Sequence, residues 1–256
     1  MSDARKARIE AAFGAAADRY DDHAGIQRAV AATVADLAGQ RRPGSGTHIL
    51  EIGCGTGFLT REIGTRWPGA ELVATDLAPA MIGRAALGGL VAGTFLPMDG
   101  EHPWFEGEWF DLILSSLAFQ WFDDLPGAIR RLVALLRPGG SLIFSTMGAD
   151  SFSRWRAAHD VHGLPCGVPV YPSLADLRSM LEGFEDAFAF DEADMPIDCQ
   201  GARGLVDHLK GIGAVVPTQG RSPLNIRELR SVTAAFDAQG GRDSYHVLFG
   251  RVTRPF

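Results

Sequence analysis

The chain has 256 residues, enough for one large domain or two small ones, with 46% hydrophobic and 21% charged residues and no low-complexity tract, the composition of a soluble globular protein. A net charge of −7 excludes a general nucleic-acid binder, whose footprint would be basic, and no apolar run is long enough to span a membrane. Cys54, Cys166 and Cys199 are too few and too scattered for a disulfide framework, and the first twenty residues lack the apolar core of a secretory signal, so the expected location is cytoplasmic.

Residues from Asp3 to Gln40 read as two alanine-rich helices separated by Tyr20-Asp-Asp-His-Ala24, ended by the break Pro43-Gly44-Ser45-Gly46. Strands and helices then alternate. Ile49–Ile52 reads as a strand, Phe58–Trp67 as a helix, Leu72–Thr75 as a strand, and Ala80–Ala86 as a short helix introduced by Pro79. Thr94–Met98 and Asp111–Ser116 are the next strands, Leu125–Arg137 is an amphipathic helix stopped by Pro138-Gly-Gly140, and Ser141–Thr146 is a fifth strand. Short apolar strands separated by helices imply a parallel sheet covered on both faces.

Beyond Met147 the pattern loosens. Helical pieces are expected at Ser151–His159, Leu174–Leu181, Gly201–Lys210 and Ile226–Ala238, with strands at Phe184–Phe190 and Tyr245–Val252. So long a connection exceeds what a strand–helix–strand crossover needs. The organisation expected is one domain over 1–256: a helical lid (1–42), a cofactor-binding core (47–146), a cap or substrate region (148–240) and a last strand (245–254).

The most informative stretch is Ile49-Leu-Glu-Ile-Gly-Cys-Gly-Thr-Gly57, an apolar strand running into three alternating glycines. Lacking Cβ, they let the backbone turn tightly and approach a ligand. The next strand ends at Asp76, and an acid there suits the two hydroxyls of a ribose. An adenosine-bearing cofactor is therefore expected across the carboxyl ends of the first two strands. The spacing is G-x-G-x-G, not the G-x-G-x-x-G of dinucleotide enzymes.

With Glu51 two residues ahead of Gly53, this arrangement resembles the first motif of S-adenosylmethionine-dependent methyltransferases. The resemblance implies an α/β, Rossmann-like, doubly wound seven-stranded sheet, mostly parallel with an antiparallel last strand, and S-adenosylmethionine as cofactor. It further implies that Glu51, Gly53, Gly55 and Gly57 form the loop beneath the amino-acid part of the cofactor. Asp76 would take the ribose, Leu77 or Met81 would pack on adenine, and Asp99 with Gly100 would receive the adenine amino group. Ser115 to Gln120 would lie under the sulfonium and the acceptor.

Four pieces resemble the malonyl-acyl-carrier-protein O-methyltransferases of biotin synthesis: Phe13–Gln27, Ser116-Leu-Ala-Phe-Gln-Trp121, Leu209-Lys-Gly-Ile-Gly-Ala214 and Tyr245-His-Val-Leu-Phe-Gly250. That resemblance implies methyl transfer to the free carboxylate of a malonyl group borne by acyl-carrier protein or coenzyme A, with no nucleic acid or membrane as partner. A malonyl carboxylate is already ionised at neutral pH, so no general base is required. Tyr20, Gln120 and Trp121 are expected to line its pocket, with Lys210, Arg154, Arg156 and His246 as candidates for a charged contact. A basic patch for the carrier is sought among Arg221, Arg227, Arg230, Arg242, Arg251 and Arg254, or on the first helix at Arg5, Lys6 and Arg8. His159, His162 and Cys166 invite a zinc reading, but Gly163 and Pro165 interrupt the helix and the reaction needs no metal, so none is expected. Alternatives are another small carboxylate, a carbon acceptor, or an assembly factor for respiratory complex I.

Overall fold

The computed structural model describes residues 3–39, 46–88, 91–184, 186–214 and 223–256. The break at Pro43–Ser45, the two ends of the expected lid and Arg221 lie outside the described residues. In chain order the elements are α1 (Asp3–Ala16), α2 (Tyr20–His23), α3 (Gly25–Gly39), β1 (His48–Ile52), α4 (Phe58–Arg66), β2 (Glu71–Asp76), α5 (Pro79–Leu87) and β3 (Gly93–Pro97). Next come β4 (Phe110–Ser115), α6 (Leu125–Ala134), β5 (Leu136–Met147), α7 (Ser153–Asp160), α8 (Leu174–Leu181), β6 (Asp186–Pro196), α9 (Gly201–Gly211), α10 (Ile226–Ala238) and β7 (Ser244–Thr253).

The strands form one seven-stranded sheet in the order β3-β2-β1-β4-β5-β7-β6, parallel except where β7 pairs antiparallel with β5 and β6. Successive residues of each central strand serve opposite faces, as the two-residue period of a strand requires. Ile49, Leu112, Leu114 and Ile143 pack with α3 and α4 on one side. Leu50, Ile113, Leu142 and Phe144 pack with Leu125, Ile129 and Leu132 of α6 and Leu177 and Leu181 of α8 on the other.

Three expectations need correction. The segment before α3 contains an additional short helix, α2, set off from α1 by a turn. Helix α6 ends at Ala134, not Arg137, because Leu136 already pairs with Phe110; Pro138-Gly-Gly140 then forms an irregularity inside β5, with Gly139 at φ 77°. The sixth strand is Asp186–Pro196, displaced from Phe184–Phe190, because it runs the full length of β7 with a bulge between Ala189 and Asp191. Asp191, Glu192 and Asp194 keep this edge strand charged, which discourages pairing with another chain.

The Lys210-Gly-Ile-Gly213 element has a packing explanation. A Cβ at Gly211 would lie 2.3 Å from the His23 ring, and one at Gly213 would lie 2.8 Å from the Ala12 carbonyl oxygen. These glycines let the end of α9 seat against α1 and α2. Gly213 also has φ +71°, so Gly213→Ala combines a left-handed backbone with a clash. We expect it to cost about 2–4 kcal/mol, lowering Tm by roughly 4–16 °C in a thermal melt; a wild-type Tm would refute this seating.

Candidate functional site

The site lies beyond the carboxyl ends of β1, β2 and β4, where the strand order reverses. After β1 the chain turns through Gly53, Gly55 and Gly57, all at positive φ (71°, 54° and 94°). A Cβ on Gly53 would lie 2.4 Å from the Ala118 Cβ, so the glycine loop and the loop after β4 touch only because this residue has no side chain. A Cβ on Gly55 would meet nothing within 4 Å. That open backbone forms part of a compartment lined by Gly53, Gly55, Asp76, Leu77, Met81, Asp99, Gly100 and Ser116, among others.

Asp76 ends β2 with both oxygens engaged: Oδ2 accepts from Gly55 N at 2.9 Å and Oδ1 from Ala78 N at 2.8 Å. Leu77 N–H is a third backbone donor to it, which leaves part of the acceptor capacity of a carboxylate, about four lone-pair sites, for a ribose hydroxyl. Burial raises its pKa above the ordinary carboxylate value, against the backbone donors that lower it. Asp99 accepts from Glu101 N at 3.0 Å and pairs with the Lys6 ammonium, which also lies 2.7 Å from Glu101. Glu101 is itself buried; burial would raise its pKa, but Lys6 and the Asp124 and Asp123 amides hold it below the usual range.

Glu51 lies beneath the glycine loop with no exposed surface and does not line the compartment. Its Oε2 accepts from the Thr60 hydroxyl at 2.6 Å, while Oε1 is buried without a partner. Burial pushes its pKa up to about 8. Gly57 caps α4 against Ala85, also outside the compartment. Ser115 is not at the site: its hydroxyl is buried and donates to the Ile52 carbonyl at 2.9 Å, so the alternation of the strand leaves Ser116 as the lining residue.

A second, larger cavity of about 540 Å3 adjoins the first. The two share Phe13, Tyr20, Leu117 and Trp121 as walls. Tyr20 stands between Phe13 and Phe58, and burial, then Asp76 and Asp21, raises its pKa, so the hydroxyl stays protonated. Trp121 packs edge-on to Phe13 at 5.3 Å. Gln120 donates to the Leu117 carbonyl at 2.5 Å. Leu117 takes φ 50°, unusual for a residue with a Cβ, while its N–H is held by the Ser145 hydroxyl at 3.0 Å. Tyr20, Gln120 and Trp121 therefore do meet at one cavity.

The charged candidates do not join them. Lys210 and Arg154 are exposed. Arg156 is tied to the Ser151 and Pro169 carbonyls behind the wall residue Tyr171. His246 faces Glu192 and Asp150 across β6 and β7. Arg5 and Lys6 face inward, and Arg254 pairs with Glu108 at the other end of the sheet. His159 is buried at the cavity, whereas His162 is exposed. Sequence reasoning passed over Lys6, Glu101 and Gln27 as site residues. Gln27 carried a signal, a polar residue on the apolar face of α3; Lys6 finds its partner 93 residues away, which no periodicity reveals.

A family model described as a methyltransferase domain matches residues 22–185. The chain is 41% identical over 95% of its length to a biotin biosynthesis bifunctional protein BioCD of Bordetella avium, of which it spans 51%. It is 36% identical to a malonyl-[acyl-carrier protein] O-methyltransferase of Magnetococcus marinus, covering 98% of this chain and 94% of that one. Among solved structures it resembles the plantazolicin methyltransferase BpumL in complex with SAH, with TM-score 0.57, 15% identity and coverage of 98% and 95%.

The acceptor capacity left on Asp76 and the open backbone at Gly55 fit S-adenosylmethionine. Asp76→Ala should weaken cofactor binding by about 100-fold or more, since two hydrogen bonds to a carboxylate are lost; a near-wild-type Kd by calorimetry would show the ribose lies elsewhere. Glu51 binds its proton more tightly folded than unfolded. Its contribution to stability is thus full below about pH 4.5 and lost as pH rises toward about 8. Glu51→Gln should flatten the fall in Tm between pH 5 and 8, measured without cofactor; an unchanged slope would mean Glu51 is ionised throughout.

Proposed function

Because the chain belongs to the malonyl-[acyl-carrier protein] O-methyltransferase family, we propose that it esterifies the free carboxylate of a malonyl group carried on acyl-carrier protein, an early step of biotin synthesis. The observation that carries this reading is the junction of two compartments. One has the acids and glycines that suit an adenosine-bearing cofactor, the other is a larger, mostly apolar cavity, and Phe13, Tyr20, Leu117 and Trp121 wall both.

When bound, S-adenosylmethionine supplies an electrophilic methyl group. Asp76 would hold the ribose hydroxyls, Asp99 the adenine amino group, and Leu77 and Met81 the faces of the ring. Gly53 and Gly55 let the backbone pass close to the amino-acid part. The acceptor carboxylate needs no deprotonation, so the work left to the protein is position and exclusion of water. Holding two reactants in line can contribute about 7–11 kcal/mol. The protonated Tyr20 hydroxyl and the Trp121 indole N–H support that role as donors to the carboxylate. Phe13, Phe152, Trp155 and Leu117 keep the cavity apolar, which favours a step that converts an anion into a neutral ester.

A carbon acceptor would call for a base at the junction, and the relatives carrying the malonyl name do not favour an assembly factor. The reading also puts the protein in the cytoplasm. Intact-mass analysis of malonyl-acyl-carrier protein incubated with S-adenosylmethionine and the protein should show the gain of one methyl, absent with the acetyl form. No gain, with cofactor binding retained, would exclude this acceptor.

A further inference from the structure

Three of the stretches that set this chain apart converge on one buried hydrogen-bond chain. Gln27 closes the Phe13–Gln27 run, His208 immediately precedes Leu209–Ala214, and Tyr245 opens β7. The His208 Nε2 lies 2.9 Å from the Tyr245 hydroxyl, and the Gln27 carboxamide is within hydrogen-bonding reach of that hydroxyl. Gln27 and Tyr245 line the 540 Å3 cavity; His208 stands behind them. Gln27 is only 9% exposed, and its Oε1 is buried with no donor.

Buried acceptors without donors are disfavoured; a half-turn of the carboxamide gives Oε1 a donor and puts the NH2 group in its place. Oε1 then accepts from the Tyr245 O–H, and the Tyr245 oxygen accepts from His208 Nε2–H. Burial, then His23, lowers the His208 pKa, which keeps it neutral with a single ring N–H to give. Burial likewise keeps Tyr245 protonated. With that N–H on Nε2 the chain runs from His208 through Tyr245 to Gln27, and its free end is the NH2 group of a residue that lines the cavity. Gln120 already gives one of its two amide N–H groups to the Leu117 carbonyl.

We propose that Gln27 grips the free carboxylate of the acceptor, presenting its amide N–H from the end of the chain His208–Tyr245–Gln27. This rests on the methyl-transfer reading above. Gln27 is the binding residue; Tyr245 and His208 are positioning residues that act through it.

The test compares wild type, Gln27→Leu, Tyr245→Phe and the double variant on malonyl-acyl-carrier protein, with cofactor Kd measured on each by calorimetry. Gln27→Leu should raise KM for the acceptor about tenfold or more while cofactor Kd stays within about twofold. Tyr245→Phe keeps the ring and removes the hydroxyl, and should raise KM by about three- to tenfold. The double variant should be no worse than Gln27→Leu alone, since residues acting through one contact are not additive. An unchanged KM in Gln27→Leu, or additive losses in the double variant, would overturn the proposal. Should Gln27→Leu lose cofactor binding through misfolding, an unchanged KM in Tyr245→Phe overturns it alone. A wild-type protein that methylates no malonyl group would instead refute the underlying reading.

Discussion

The site depends on one steric fact, the contact between Gly53 and Ala118. Strand β1 has β2 on one side and β4 on the other, so the chain leaving β1 and the chain leaving β4 start as neighbours. A side chain at residue 53 would overlap Ala118 and drive the two loops apart. With glycine there, the loop turns over the end of the sheet and brings Gly55 N to Asp76, while Leu117 to Trp121 fold back over the crevice. The cofactor compartment and the neighbouring cavity are the two sides of that meeting point.

Helix α1 is held against this crevice by a buried ion pair. Glu101 is almost wholly buried, and a buried carboxylate without a cation is strongly destabilising. Its cation is Lys6 of α1, which pairs with Asp99 as well. Arg5 adds contacts to the Trp121 carbonyl and Asp123. With α1 seated, the cofactor compartment measures about 100 Å3, below the roughly 300–1,000 Å3 of small-molecule sites. Phe13, later on the same helix, walls both compartments.

The central sheet was legible because parallel strands buried on both faces write themselves as apolar runs, and the glycine loop because it needs glycine at fixed spacing. Gly53, Gly55, Asp76, Leu77, Met81, Asp99 and Gly100 all come to the compartment that the motif implied. Ser115 did not, because a one-residue step in a strand reverses the direction of the side chain and no motif counts register so finely. Strand β6 was misplaced for a related reason: its bounds are set by pairing with β7, a partner more than fifty residues away. Lys6 and His208 were illegible as site residues because each matters through a contact made only in three dimensions, whereas Gln27 was legible only as a polar residue on an apolar helix face. The charged candidates failed differently. An exposed arginine and one tied to backbone carbonyls look the same in a sequence.

That failure bears on the chemistry. Among the described residues that line the larger cavity there is no arginine or lysine, and the side chains bearing N–H or O–H groups are those of tyrosine, tryptophan, glutamine and His159. A buried guanidinium would bind the acceptor anion tightly, yet that attraction fades as the carboxylate oxygen loses its charge to the new bond. Interactions stronger in the ground state than in the transition state raise the barrier. Neutral donors bind the anion more weakly and lose less as the charge disappears. An apolar cavity with a few hydrogen-bond donors is thus better matched to forming a neutral ester than an ion-pairing pocket would be. Such a cavity would also release that ester, which offers neither the charge nor the full set of acceptors of the acid.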